Sequence, residues 1–210
     1  AKYSRIAEHP FSVDPATLRR NDDPPDYIAF REAAINLLIH QDYGDHNRKA
    51  SLKWFTDRLI FWNPGDAFAT TAQLLESNEK DIRNPLIVNA FRRIGLSDQA
   101  GTGIRSILRN WRELGRRTPR INNNKTDKSF ELLLENEPLI TEAMQRFQAS
   151  LGVALTPEQA AILALAAAQL TLNLTEATIA AGGNIRLAHQ ALDFLCDQQL
   201  LESLDQSTYG

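Results

Sequence analysis

Three polar side chains of functional type, Glu32, Asn36 and His40, stand four residues apart. On a helix each is offset from the one before by only about 40°, so the three share a stripe. Such a stripe is either the solvent side of an amphipathic helix or the wall of a site. A second group is Gly101-Thr102-Gly103-Ile104. A turn of this composition lets the backbone approach a ligand closely and leads into a helix start, where unpaired N–H groups and the helix dipole favour an anion such as phosphate. Arg105 follows directly and would serve the same phosphates. Between Arg105 and Lys128 the chain carries Arg105, Arg109, Arg112, Arg116, Arg117, Arg120, Lys125 and Lys128 against Glu113 and Asp127. Arg105, Arg109 and Arg112 recur at helical spacing with Arg116 just beyond, a face that is either solvated or laid along a phosphate backbone. A fourth group, Asn184, Arg186, His189 and Gln190, opens the last long helix and supplies the side-chain types that read base edges.

The elements that must position these groups follow from periodicity and breakers. After Asp22-Asp23-Pro24-Pro25, a helix is predicted over 26–41, with Ile28, Ala29, Ile35, Leu38 and Ile39 as its apolar face. Two short aromatic-rich runs, 50–55 and 58–62, read as a hairpin that Asn63-Pro64-Gly65 terminates. Helices are expected over 71–77, over 84–94 with Asn84 as cap, Pro85 first and Gly95 past the end, and over 102–114. The stretch 116–129 is polar and basic, and 130–134 reads as a strand. Beyond Asn136-Glu137-Pro138 the chain turns Ala-, Leu- and Gln-rich, with helices over 139–149, 157–169, 175–181 and 185–199. Thr156 and Thr175 stand as caps, and Gly182-Gly183 makes the turn before Asn184. This is the order of a helix-turn-helix with the stub of a wing.

The 210 residues are 43% hydrophobic with a formal net charge of -3, enough for packed cores and too little charge to name a partner. One cysteine, Cys196, cannot form an internal disulfide, and no apolar run reaches the ~20 residues of a membrane span. A cytoplasmic, membrane-free protein is the expectation. From Glu131 onward Arg146 and Arg186 stand against about ten carboxylates, so the C-terminal helices would repel a phosphate backbone unless those acids face away from it. Protein contact or homodimer formation competes with DNA reading for that region.

Taken together, the groups resemble a family. Arg31-Glu32-Ala33 through His40-Gln41-Asp42-Tyr43 is similar to the "REAxxNAxxHRDY" helix of RecG-related transcriptional regulators. Asp57-Arg58 with Asn63-Pro64-Gly65, Arg83-Asn84-Pro85, and Gly95-Leu96 with Gly101-Thr102-Gly103-Ile104 follow in that family's order. The resemblance covers about residues 24–134 and implies an α+β chain. Its first part, 1–136, would be a degenerate GHKL (Bergerat) nucleotide-binding domain, a mixed sheet with helices on one face. Its second part, 137–210, would be a mainly helical winged-helix-like domain. It implies ATP and Mg²⁺ as cofactors, Glu32 as general base, Asn36 as Mg²⁺ ligand, and Asn63, Gly65, Gly101, Thr102, Gly103 and Arg105 as nucleotide contacts. Family members usually carry an upstream AlbA-type domain, and the first residues here read as interior to a longer protein. Three departures stand out: Asn63-Pro64-Gly65 replaces the Asp-x-Gly that reads adenine, the lid is short, and Gln41 replaces an Arg. His40 and Asp42 receive no role.

Three functions follow as alternatives: a DNA-associated regulator that senses a nucleotide, a slow Mg²⁺-dependent ATPase, and a non-catalytic scaffold with a decayed pocket. DNA contacts would come from Asn184, Arg186, His189 and Gln190, with Arg109, Arg112 and Arg116. A helicase motor is not expected, because the sequence has no GxxxxGK[ST] loop.

Overall fold

The computed structural model describes residues 12–13, 20–21, 23–76, 82–96, 102–204 and 208–209. Strands β1 (Ser12–Val13) and β2 (Arg20–Asn21) pair as a short antiparallel ladder. Helix α1 (Pro25–His40) is followed by the hairpin β3 (Ser51–Trp54) and β4 (Arg58–Pro64), then α2 (Thr71–Leu75), α3 (Pro85–Arg93) and α4 (Gly103–Glu113). β5 (Arg120–Asn124) and β6 (Ser129–Glu135) complete a four-stranded sheet in the order β3-β4-β6-β5. The α+β class holds, but every pair in this sheet is antiparallel, so the parallel pairing of a mixed sheet is not found among the described residues.

Alternation along the strands decides which face is covered. Leu59 and Phe61 on β4 and Leu132 and Leu134 on β6 point to one side, where Ala29, Ala33 and Leu37 of α1 and Ile107 and Trp111 of α4 close over them. Pro25 at the first helical position and Asp26 in the first turn start α1. Its buried stripe is Ala29, Ala33 and Leu37, with Ile35 and Ile39 turned toward Val88 of α3. Leu38, expected inside, is exposed, because the helix is clamped by the sheet on one side and α3 on another and shows water what lies between.

The polar stretch after α4 hides a strand. β5 pairs with β6 through Arg120↔Leu133 to Asn124↔Ser129. Three consecutive asparagines carry no strand propensity, and it is the partner β6 that holds them extended.

The C-terminal region packs around Ile162, Leu172, Ala177, Ala188, Leu192 and Leu195. Its helices are α5 (Glu142–Ser150), α6 (Pro157–Gln169), α7 (Leu174–Ala180) and α8 (Ile185–Asp197), with β7 (Leu172–Asn173) pairing β8 (Thr208–Tyr209). A strand between the first two helices of the trio and a second after the third is the pairing a winged helix uses. Thr156 caps α6 through a capping box with Gln159. At α7 the cap is Asn173 with Glu176, not Thr175, since a cap must sit in extended backbone just ahead of the helix and Asn173 does. Leu170, at the C-cap of α6, has φ +69° and its side chain in solvent. The Asn136–Pro138 stretch is pinned rather than loose: Arg117 N–H donates to the Glu137 carbonyl (2.8 Å) and Leu139 N–H to the Gly115 carbonyl (2.9 Å).

Candidate functional site

Glu32 and Asn36 lie on α1 beside the buried stripe and are themselves half-buried, off the solvent side. α4 packs along α1, and its N-terminus begins at Thr102, whose side chain makes no capping hydrogen bond. Helix-start N–H groups without a side-chain cap are anion-seeking. At this end the two helices nearly touch: a Cβ on Gly103 would stand 2.7 Å from Asn36 Nδ2 and 3.2 Å from its Oδ1. A larger residue there would push the Asn36 amide aside. Asn36 Nδ2 is buried with no hydrogen-bond partner, which a native structure rarely tolerates without a ligand or water to receive the donor. Asn36 and Gly103, 67 positions apart in sequence, thus form one locus. Gly101 lies outside the described residues.

Asn63 is buried at the end of β4, on the helix-covered side of the sheet. Its Nδ2 donates to the carbonyls of Pro64 and Gly65, both at 3.1 Å, which folds the amide onto its own turn and leaves Oδ1 as the remaining acceptor. Gly65, at φ +98°, lies against Asp42, where a Cβ would come within 3.1 Å of the Asp42 backbone N. Asp42 N–H in turn donates to the Pro64 carbonyl (2.7 Å).

Asp42 and Arg83, to which the sequence assigned no role, join here with residues from other elements. Arg83 reaches Asp42 and Asp66, both at 3.7 Å, donates to the Asp66 carbonyl (2.8 Å) and stacks over Phe68 at 4.5 Å. Asn84 stands at the N-cap position of α3 ahead of Pro85, as expected, but its side chain makes no capping hydrogen bond there. Its Nδ2 donates to the carbonyls of Ile39 and Gln41, 2.8 Å each, and closes the open end of α1. Asn123 holds the 67–69 loop through Ala67 N–H (2.8 Å) and the Ala69 carbonyl (2.8 Å), while Lys125 pairs with Asp66 at 2.9 Å. Burial pushes the Asp66 carboxyl up, but the hydrogen bond and charge of Lys125, with Arg83, outweigh it and hold the group below its usual range. Asp42, Gly65, Arg83 and Asn84 are therefore a structural knot that fixes where α1 ends and β4 turns.

The arginine stripe is not free. Arg112 is ion-paired with Glu158 of α6, and Arg116 donates to the Asn136 carbonyl (2.9 Å). Arg117 pairs with Glu137 at 2.9 Å, and Arg120 with Glu135 at 3.4 Å. Burial raises Glu158, but a backbone N–H and the Arg112 guanidinium more than reverse this and leave it lowered. The face of α4 that carries Arg105, Arg109 and Arg112 receives the α7–α8 turn: a Cβ on Gly182 would stand 3.0 Å from Arg112 Nε, and one on Gly183 3.2 Å from Arg105 Cγ. Both glycines have positive φ, +75° and +80°. Leu75, Leu108 and Ile179 extend this contact with apolar atoms. Arg109 remains exposed beside the turn. Asn184 accepts from the N–H groups of Arg186 (3.1 Å) and Leu187 (3.2 Å), so its side chain caps α8, while Arg186, His189 and Gln190 are exposed.

Comparison with known proteins matches residues 47–134 to the family described as "Putative ATP-dependent DNA helicase recG C-terminal". Over this stretch the chain is similar to the RecG-related, GHKL-like ATPase-type family. The GHKL-like match takes in the hairpin, α2 to α4 and β5–β6; α1, with Glu32 and Asn36, precedes it. A solved structure, the DIP2311 protein from Corynebacterium diphtheriae, is similar at 22% identity with a TM-score of 0.53. The similarity covers 89% of this chain but 40% of that one, and at this identity it speaks for the fold alone. No curated protein matches. No described helix is long and apolar enough to cross a membrane.

Proposed function

We propose that the GHKL-like domain binds a nucleoside triphosphate with Mg²⁺, and that the chain is a DNA-associated regulator rather than a metabolic enzyme. The observation that carries the nucleotide reading is the partnerless Asn36 Nδ2 against Gly103, at a helix start with no side-chain cap. Phosphate oxygens are the natural acceptors for such donors. No group of three or more His, Cys, Asp or Glu among the described residues suits a metal cage. Mg²⁺ favors few protein ligands, retained waters and substrate phosphates, which Asn36 Oδ1 together with the phosphates would supply. Asn36 Oδ1 would hold the ion, which supplies charge neutralisation of the phosphates when bound. Arg105 lies one turn in and would add a guanidinium. Asn63, an amide in place of a carboxylate, makes a weaker acceptor for an adenine amine.

Glu32 favors a second reading, slow hydrolysis. It stands one turn before Asn36, half-buried, where a carboxylate can take a proton from water. Titration calorimetry with ATP and Mg²⁺ on the wild type, Asn36→Ala and Glu32→Gln separates these. Heat from the wild type and E32Q, but not from N36A, supports binding at this locus, and turnover in the wild type alone adds the ATPase. No heat from the wild type removes both.

The DNA reading rests on the α6–α7–α8 arrangement with its β7–β8 wing and on the exposed Arg186, His189 and Gln190. Its test is duplex affinity against salt. A phosphate-contacting surface gives a log–log slope of roughly -0.9 per contact, and a slope near zero leaves only a scaffold.

A further inference from the structure

α4 has two jobs at once. Its first turn faces Asn36 at Gly103, and its following turns seat the Gly182-Gly183 turn that leads into α8. Arg105 belongs to both places. It is two residues beyond Gly103, and its Cγ lies under Gly183. The seam between α4 and the α7–α8 turn is imperfect in a specific way: Arg105 Nε and Arg112 Nε are both buried without a hydrogen-bond partner. Buried donors left unsatisfied weaken the state that buries them. Glu158, paired with Arg112, is the countervailing latch.

We propose that Arg105 is a switch residue: an anionic ligand at the Thr102–Gly103 end of α4 draws its guanidinium toward the ligand and with it shifts the Arg105 stem that lies against Gly183, loosening the seat of the α7–α8 turn and releasing the start of α8. This rests on the nucleotide reading above. The ligand class is a nucleoside triphosphate, and the coupling is reciprocal, so any polyanion that prefers the released α8 strengthens nucleotide binding by the same factor. The turn carries its own reporters. Gly183 N–H donates to the Thr178 carbonyl (2.8 Å) and Gly182 N–H to the Ile179 carbonyl (3.0 Å), bonds at the end of α7 whose exchange reports how firmly the turn is held.

The experiment is hydrogen exchange over residues 178–187 of the full chain, with and without a non-hydrolysable ATP analogue and Mg²⁺, alongside calorimetry on the same samples. Saturation with the analogue is expected to speed exchange of these amides about tenfold, within the usual range of site-to-site coupling. Arg105→Ala abolishes the response even at ligand concentrations that saturate it. Gly183→Ala, whose new methyl would press on Arg105 and strain the backbone, gives fast exchange with or without ligand while α1 stays protected. Heat of binding with unchanged exchange in the wild type overturns the switch and spares the nucleotide reading. An equal response in R105A also overturns it. Absence of heat overturns both.

Discussion

At the residue scale the decisive contact is Gly103 against Asn36. Gly103→Ala drives a methyl to 2.7 Å from a buried amide nitrogen, an overpacking that costs about 1–3 kcal/mol in urea melts. Adding Asn36→Ala removes the obstruction, so the double variant is expected to recover most of the loss. Strictly additive losses would mean that the two residues do not meet. This meeting was legible in the sequence only through the order of the family's motifs, since neither the helical stripe nor the glycine turn alone says what it faces. Asn84 shows the opposite case. Its position before Pro85 reads as a cap, yet its amide serves α1, whose Ile39 and Gln41 carbonyls lie 45 and 43 residues away. Local spacing carries no trace of such a partner.

At the scale of elements, what was legible was whatever closes locally. α6 falls at 157–169 as expected because Thr156, Pro157 and Gln159 start it without outside help. β5 was illegible because Arg120–Asn124 becomes a strand only when β6 lies beside it. The partial cover over the basic face of α4 was illegible for a related reason: its partners Glu158, Gly182 and Gly183 lie in the following helices, and a charge pattern cannot reveal that another element packs on it. Leu108, fully buried between Leu75 of α2 and Ile179 of α7, tests that cover. Leu108→Ala is expected to cost about 2–5 kcal/mol and to raise amide exchange in α7 together with α4. An α7 that stays fully protected would show that this cluster does not join the helical region to the sheet domain.

At the scale of the whole molecule, acid is expected to loosen what the ion pairs hold. Glu158 and Asp66 both titrate below their ordinary range in the folded protein. Their contribution is complete above the ordinary carboxylate pKa of about 4 and is lost as pH falls through the lowered folded-state value. The stability gap between wild type and Glu158→Gln should therefore persist at neutral pH and shrink below about pH 4; a gap that widens on acidification would contradict the sign. The pairing of Arg112, Arg117, Arg120 and Lys125 with carboxylates has one more consequence. Cations neutralised at close range project little field beyond the Debye length of roughly 10 Å, and the net charge is -3. A nucleic acid would drift into this protein rather than be pulled toward it, so its association rate should lie near the unsteered 10⁵–10⁶ M⁻¹s⁻¹, roughly, and selectivity should be written in how slowly it leaves.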